Sequence, residues 1–185
     1  MTRVSEVSPL LQAVYRGDDD AVEALLADGP ELDVFEAAAV GDVERLRELL
    51  DEDPSLAGAW SPDGAGAPHL AAYFGRADAV RLLVARGADV NAHARGFNGV
   101  APINSAAATS GSDEATSTEC VRILLEAGAD PNARQAGGST ALHAAAQSRC
   151  AEMATLLLRH GADPGAATDD GRTPRSMWPE LDRLE

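Results

Sequence analysis

A chain of 185 residues that is 45% apolar can bury one domain or one short array, yet only 4% of it is aromatic. Ala, Leu, Gly and Asp dominate instead, a mixture that suits small, closely packed helices better than a sandwich or a doubly wound sheet. The formal charge of −15 repels phosphate backbones and anionic bilayers, and no basic stretch offsets it, so neither nucleic acid nor a membrane is expected as a partner.

Every basic side chain is Arg, and the absence of Lys removes P-loop, Schiff-base and lysine-base chemistry. Cys120 and Cys150 are too few for a disulfide framework and lack C-x-x-C spacing, so reduced structural thiols are expected. Residues 1–11 contain Glu6 and no continuous apolar run, and no later stretch nears the ~20 apolar residues of a membrane span, which predicts a cytoplasmic protein.

Taken in chain order, residues 8–33 read as a capping unit. Ser8-Pro9-Leu10-Leu11-Gln12-Ala13-Val14 opens a helix, Gly17-Asp18 turns the chain, and Leu25-Leu26 is the apolar pair of a second helix with a polar outer face. Residues 34–60 repeat the scheme in degenerate form with Phe35-Glu36-Ala37-Ala38, Gly41-Asp42 and Leu49-Leu50, after a short connection with no hairpin signal. Val22, Leu46 and Val80 each stand five positions past a helix-ending glycine, which sets the units in register.

Residues 61–94 bring Gly64-Ala65-Gly66-Ala67-Pro68-His69-Leu70-Ala71-Ala72, then Leu83-Val84 and Gly87-Ala88-Asp89. Residues 95–134 bring Gly99-Val100-Ala101-Pro102-Ile103-Asn104-Ser105-Ala106-Ala107, then Leu124-Leu125 and Gly128-Ala129-Asp130; a polar insertion at 110–115 is expected to be an exposed loop. Residues 135–167 contain Gly138-Ser139-Thr140-Ala141-Leu142-His143-Ala144-Ala145-Ala146, Leu157-Leu158 and Gly161-Ala162-Asp163. Gly171-Arg172-Thr173-Pro174 starts one more unit, which Arg175-Ser176-Met177-Trp178-Pro179 abandons, leaving 168–185 as a truncated cap with Trp178 over the end of the stack. A proline or small residue suits the first turn of each inner helix, and a glycine the left-handed end of each outer helix.

These phrases resemble the ankyrin repeat, whose pattern runs G-x-T-P-L-H-x-A-A-x-x-G and closes with L-L-x-x-G-A-D-x-N. The resemblance covers about residues 8–174, and Gly138 and Gly171 stand 33 residues apart, the period of the family. It implies a single all-α domain over residues 1–185: a solenoid of helix-turn-helix units joined by β-hairpin-like loops. Two departures matter. Gly66-Ala67-Pro68 replaces Thr-Pro-Leu and is expected to loosen the start of its helix, and Asn104 replaces a histidine.

The resemblance also implies roles. His69 and His143 occupy the T-P-L-H position, where imidazoles hydrogen-bond the backbone of neighbouring hairpins, a structural use that outweighs metal binding because no ligand set accompanies them. In the family, partners dock on the concave face, made of hairpin tips and the exposed side of the inner helices. The variable positions before each inner-helix turn place Tyr15, Arg16, Val40, Tyr73, Phe74, Thr109 and Gln147 there, and the hairpin residues Trp60, Arg95 and Phe97 extend the row. Aromatic and Arg side chains are the usual interface anchors.

No nucleophile elbow, G-x-G-x-x-G fingerprint or metal-ligand spacing is present, so no catalytic residue, cofactor or metal is expected. His93 and His160 read as solvent-facing, and 18–20 and 51–53 as solvated turn charges. The expected function is therefore a non-catalytic protein-binding module, an adaptor, inhibitor or chaperone-like protein. It is expected to be monomeric, with a partner that the charge predicts to be basic. Arginine-only, alanine-rich usage points to a bacterial source. Two other readings remain: an enzyme or small-molecule binder with a site near the insertion, in a pocket joining His93 and Asn104, and a scaffold that self-associates through its repeat ends.

Overall fold

The computed structural model describes residues 7–108 and 113–184, which alternate inner and outer helices. The inner helices are α1 (Pro9–Arg16), α3 (Val34–Val40), α5 (Ala67–Tyr73), α7 (Pro102–Ala107), α9 (Ala141–Ser148) and α11 (Pro174–Met177). The outer ones are α2 (Asp19–Ala27), α4 (Val43–Glu52), α6 (Ala77–Ala85), α8 (Glu114–Glu126) and α10 (Ala151–Arg159). Successive inner helices pack on one another, as do successive outer helices from α4 to α10, so the chain is an all-α solenoid. Among the described residues there is no strand, only an antiparallel bridge between Trp60 and Gly66.

Small residues set the spacing of the inner row. Ala37, Ala38 and Ala39 of α3, Ala71 and Ala72 of α5, Ala106 of α7 and Ala145 of α9 are all fully buried, so neighbouring backbones approach closely. The larger core residues Leu46, Leu83, Leu124 and Leu157 come from the outer helices and fill the layer between the rows. By contrast, α2 buries none of its residues, which suits the exposed first end of the stack. At the other end Trp178 and Leu181 close the core.

The first turn of each inner helix except α5, whose N-cap is Gly66, is tied back to its own N-cap. Ser8 Oγ accepts the Leu11 amide at 3.1 Å, Asp33 and Glu36 exchange amide bonds at 2.8 and 2.9 Å, and Thr173 and Ser176 do so at 3.0 and 2.9 Å. In α9, His143 Nδ1 accepts from the Thr140 amide at 3.1 Å and its hydroxyl at 2.9 Å, which leaves Nε2 to donate to the Arg172 carbonyl at 3.3 Å. Asn104 does the same work in α7: Oδ1 accepts from Ala101 N at 3.1 Å and Nδ2 donates to Ala133 O at 3.0 Å. An amide thus stands in for an imidazole, because the task needs only one acceptor and one donor at that reach.

The Gly-Ala-Asp phrases form a second ladder. Asn91 donates to Gly128 O at 3.0 Å and accepts from Asp130 N at 2.8 Å, and Asn132 repeats both bonds on Gly161 and Asp163 at 2.9 and 2.8 Å. Gly165 holds the equivalent place after Asp163, where the stack has one partial unit left to hold. On the convex side Arg86 pairs with Asp51, Arg81 with Glu119 and Arg122 with Glu152, at 2.8, 2.9 and 3.4 Å. These pairs join successive outer helices; the two between exposed side chains, Arg81 with Glu119 and Arg122 with Glu152, contribute little, while Arg86 is partly buried.

One sequence expectation changes. The polar stretch at 110–115 is not all loop: Asp113 Oδ1 accepts the Thr116 amide at 2.7 Å, and Glu114 and Ala115 already lie in α8. An Asp followed by Glu is a helix start, and the turn it adds buries Ser117 and Thr118. The rest of that stretch, residues 110–112, lies outside the described residues, as does Thr109. At the end of α9, where α1 and α3 turn on Gly17 and Gly41, Arg149 takes the left-handed conformation at φ 57°.

Leu124 is fully buried in the layer between the rows, so Leu124→Ala should cost about 2–5 kcal/mol in chemical denaturation. An unchanged curve would mean that the units do not stack in this register. Burial also holds the imidazoles of His69 and His143 below their ordinary range. As pH falls below about 6.5 the unfolded chain takes up protons on these two rings before the folded one does, so stability declines on acidification. The double variant His69→Asn, His143→Asn puts at both positions the side chain that already serves at Asn104. It is expected to lose less stability between pH 7 and pH 5 than the parent, read by denaturant titration at each pH.

Candidate binding surface

The concave face is built unequally along the solenoid. Between α2 and α3 there is no hairpin, and α3 ends in Ala39 and Val40, so the second unit projects little over the inner row. Tyr15, at the end of α1, reaches across that low unit. Its hydroxyl donates to Asp63 Oδ2 at 2.8 Å, in the turn before α5, and the other Asp63 oxygen takes the Ser61 hydroxyl. Burial, and after it the Asp63 carboxylate, keep the phenol protonated far above its ordinary range.

The opposite wall is a hairpin longer than its sisters. The turns closed by Ser61 N to Ala65 O, Gln135 N to Ser139 O and Thr168 N to Arg172 O are tight, whereas the one closed by Ala94 N to Val100 O holds two extra residues. That hairpin is fastened on both sides: Arg95 N donates to Gly64 O at 2.9 Å, and Ala136 N to Asn98 O at 2.9 Å. It also lies so close to the preceding turn that a Cβ on Gly96 would collide with the Asp63 carbonyl, and one on Gly64 would come within 2.6 Å of Gly96 N. Held in this way, Phe97 and Asn98 both adopt left-handed backbone, at φ 49° and 61°. For a bulky aromatic residue this costs about 1 kcal/mol or more, and it leaves the Phe97 ring 48% exposed.

Between these walls lies a half-open cavity of about 510 Å³. Tyr15, Tyr73 and Phe97 supply its rings, Leu70 and Val100 apolar floor, and Asn98, Asn104 and Ser105 its polar groups, with His69 also in the wall. The ring centroids of Tyr15 and Phe97 and of Tyr15 and Phe74 are 6.0 Å apart, and Tyr73 stands edge-on to Phe74 at 5.0 Å. Beside them Trp60 packs on His69 at 5.6 Å and carries the Arg95 guanidinium over its face at 4.9 Å.

Five of the expected residues, Tyr15, Trp60, Tyr73, Phe74 and Phe97, therefore gather with Arg95 into one aromatic surface. The pair at the end of α5 divides its work, Tyr73 lining the cavity while Phe74 packs against the core. Val40 is half-buried on the core, Arg16 is exposed beside Tyr15, and Gln147 lies apart in a shallow recess with His143 and Met177. Asp63 carries no sequence signal, because its bond to Tyr15 spans 48 residues. The long hairpin is legible by counting, since Asp89 to Gly99 exceeds Asp130 to Gly138. His93 does not line the cavity; its Nδ1 lies 2.7 Å from the Gly99 carbonyl, within the long hairpin.

Other groups are unsuited to chemistry. His69 is 4% exposed, and its Nε2 lies 2.9 Å from Ala92 O, but among the described residues Nδ1 has no hydrogen-bond partner, because Gly66 stands where Thr140 serves His143. The Cys120 thiol is pushed up to about 12 by burial, and Cys150 is raised by the same cause, so neither is a nucleophile at neutral pH. Among the described residues, no three His, Cys, Asp or Glu side chains cluster as metal ligands, and no helix is long and apolar enough to cross a membrane. Removing one hydroxyl tests the clasp. Tyr15→Phe should lower stability by about 1–2 kcal/mol in urea titration, and a change below the error of the fit would mean that Tyr15 does not hold the 61–65 turn.

A family model for ankyrin repeats, in three copies, matches residues 10–135 and again 69–168. The chain is 34% identical over 109 residues to the ankyrin repeat and SAM domain-containing protein 6 of Rattus norvegicus, covering 59% of this chain and 12% of that protein. It is 37% identical over 126 residues to a probable E3 ubiquitin-protein ligase of Oryza sativa subsp. japonica, covering 64% of this chain and 25% of that protein. The chain thus spans a quarter or less of the length of these relatives. Ankyrin repeats are generally protein–protein interaction modules and typically non-enzymatic. With its stacked helix pairs and a family match that runs from residue 10 to residue 168, the chain belongs to the ankyrin repeat family.

Proposed function

We propose that this chain is a non-catalytic adaptor or inhibitor that grips a basic protein partner with the first half of its concave face. The observation that carries the reading is the placement of five of the seven aromatic residues on one part of that face, where Tyr15, Tyr73 and Phe97 line a cavity, Phe74 packs behind them and Trp60 stands beside it on His69, in a protein otherwise poor in rings. Phe97 sharpens it: an exposed ring held at a backbone cost contributes little to folding, and exposed aromatics at the centre of a concave surface are the usual anchors of an interface. The charge of −15 favours a basic partner through faster encounter, and disfavours nucleic acid.

A second reading has one observation in its favour, since a cavity of about 510 Å³ lies within the roughly 300–1,000 Å³ range of small-molecule sites. It reaches Asn104 and Ala108, next to the insertion, but does not include His93.

Affinity capture from the native host's lysate at low and physiological salt distinguishes the two. The test pair is the parent and the variant Tyr73→Ala, Phe97→Asn, in which asparagine tolerates the left-handed backbone. A stoichiometric protein lost at higher salt and lost in the variant, with the melting curve little changed, is expected. A partner retained by the variant would remove the aromatic surface from the reading.

A further inference from the structure

We propose that the cavity between Tyr15, Tyr73 and Phe97 seats an arginine side chain of the partner protein, stacked on those rings. The inference rests on the concave-face reading above and gives it a chemistry. Three observations on this surface lead to it. The cavity wall carries no cationic side chain: its lining residues are aromatic, aliphatic, amide-bearing or, at Ser105, a hydroxyl, and its one imidazole, His69, is kept neutral by burial. A ring face attracts a cation, the more strongly as water is displaced, and no like charge competes on this half-enclosed wall.

Tyr15 is also no ordinary phenol. It donates a hydrogen bond to the Asp63 carboxylate at 2.8 Å, and a phenol hydrogen-bonded to an anion carries more electron density in its ring. The arrangement places a negative charge one hydrogen bond behind the aromatic wall rather than in the cavity, so the cavity stays apolar in shape and negative in field. A guanidinium meets both features at once, whereas a neutral apolar side chain uses only the first.

The protein itself already shows the geometry. Arg95 lays its guanidinium over Trp60 at 4.9 Å on the neighbouring part of the same surface, with no ion pair to hold it there among the described residues. Its backbone is fastened to Gly64, and its guanidinium rests on the ring. Neither Arg95 nor Arg16 lines the cavity, and the overall charge of −15 is large enough to draw in a further cation.

The test uses the whole chain and two short peptides, acetyl-Gly-Arg-Gly-amide and its citrulline analogue, which keeps the shape of arginine and lacks its charge. Binding is followed at low salt by the ring-proton shifts of Tyr73 and Phe97. The arginine peptide is expected to bind roughly fivefold or more tightly than the citrulline peptide, the range of a partly desolvated cation–ring contact. Phe97→Asn leaves the net charge untouched and is expected to abolish the preference. Asp63→Asn is expected to weaken the arginine peptide and spare the citrulline one.

Equal binding of the two peptides, no ring shifts with either, or a preference that survives Phe97→Asn would each overturn the proposal. The last result would assign the attraction to the acidic surface as a whole. Because the capture experiment reads a macromolecular partner and this one reads a charge, loss of one does not entail loss of the other. A captured partner with peptides that bind equally would leave the concave face as an interface with an apolar anchor.

Discussion

The stiffness of this molecule depends on how the units from α7 onward are fastened to the next at two fixed points. One is the third residue of α7 and of α9, where Asn104 or His143 accepts from its own N-cap and donates to the connection beyond it. The other is the asparagine after Gly-Ala-Asp, where Asn91 and Asn132 grip the corresponding phrase of the following unit. Neither bond is strong alone, at about 1 kcal/mol net. Their value is geometric, because two anchors, one at the start of the inner helix and one in the loop after the outer helix, fix the rotation of one unit on its neighbour, and the alanines of the inner row fix the separation.

This explains why the fold was legible in the sequence. The fastening residues recur at constant spacing, and the helix-ending glycines and apolar pairs sit in phase with them, so the repeat follows from local signals that stacking makes mutually consistent. The exchange of His for Asn at position 104 is legible only afterwards, since a sequence shows the departure but not that an amide spans the same donor and acceptor. The helix start at Asp113 was legible too, as Asp followed by Glu, but the Ser and Gly before it favoured a loop.

What the sequence withholds is the shape of the concave face. The clasp between Tyr15 and Asp63 joins units that are not adjacent and exists only because the second unit lacks a hairpin. No single-position signal encodes an absence of this kind. Likewise the two extra residues of the 94–100 hairpin are countable, but their consequence is set by its neighbours. Backbone bonds on both sides and the close approach of Gly96 to the preceding turn together hold Phe97 in a conformation it would not adopt alone.

The two irregularities reinforce one another. A low second unit without the long hairpin would leave a shallow trough, and a long hairpin beside a full second unit would meet a wall instead of Tyr15. Together they enclose a cavity in the half of the solenoid that has the weaker family pattern, while the regular units from α7 to α10 carry both ladders and most of the large core residues. Strain is tolerated where a rigid neighbour over-determines it. The regular half of the stack therefore supplies the stiffness, and the irregular half uses it to keep an exposed aromatic ring at a fixed distance from a phenol that is itself held by a carboxylate.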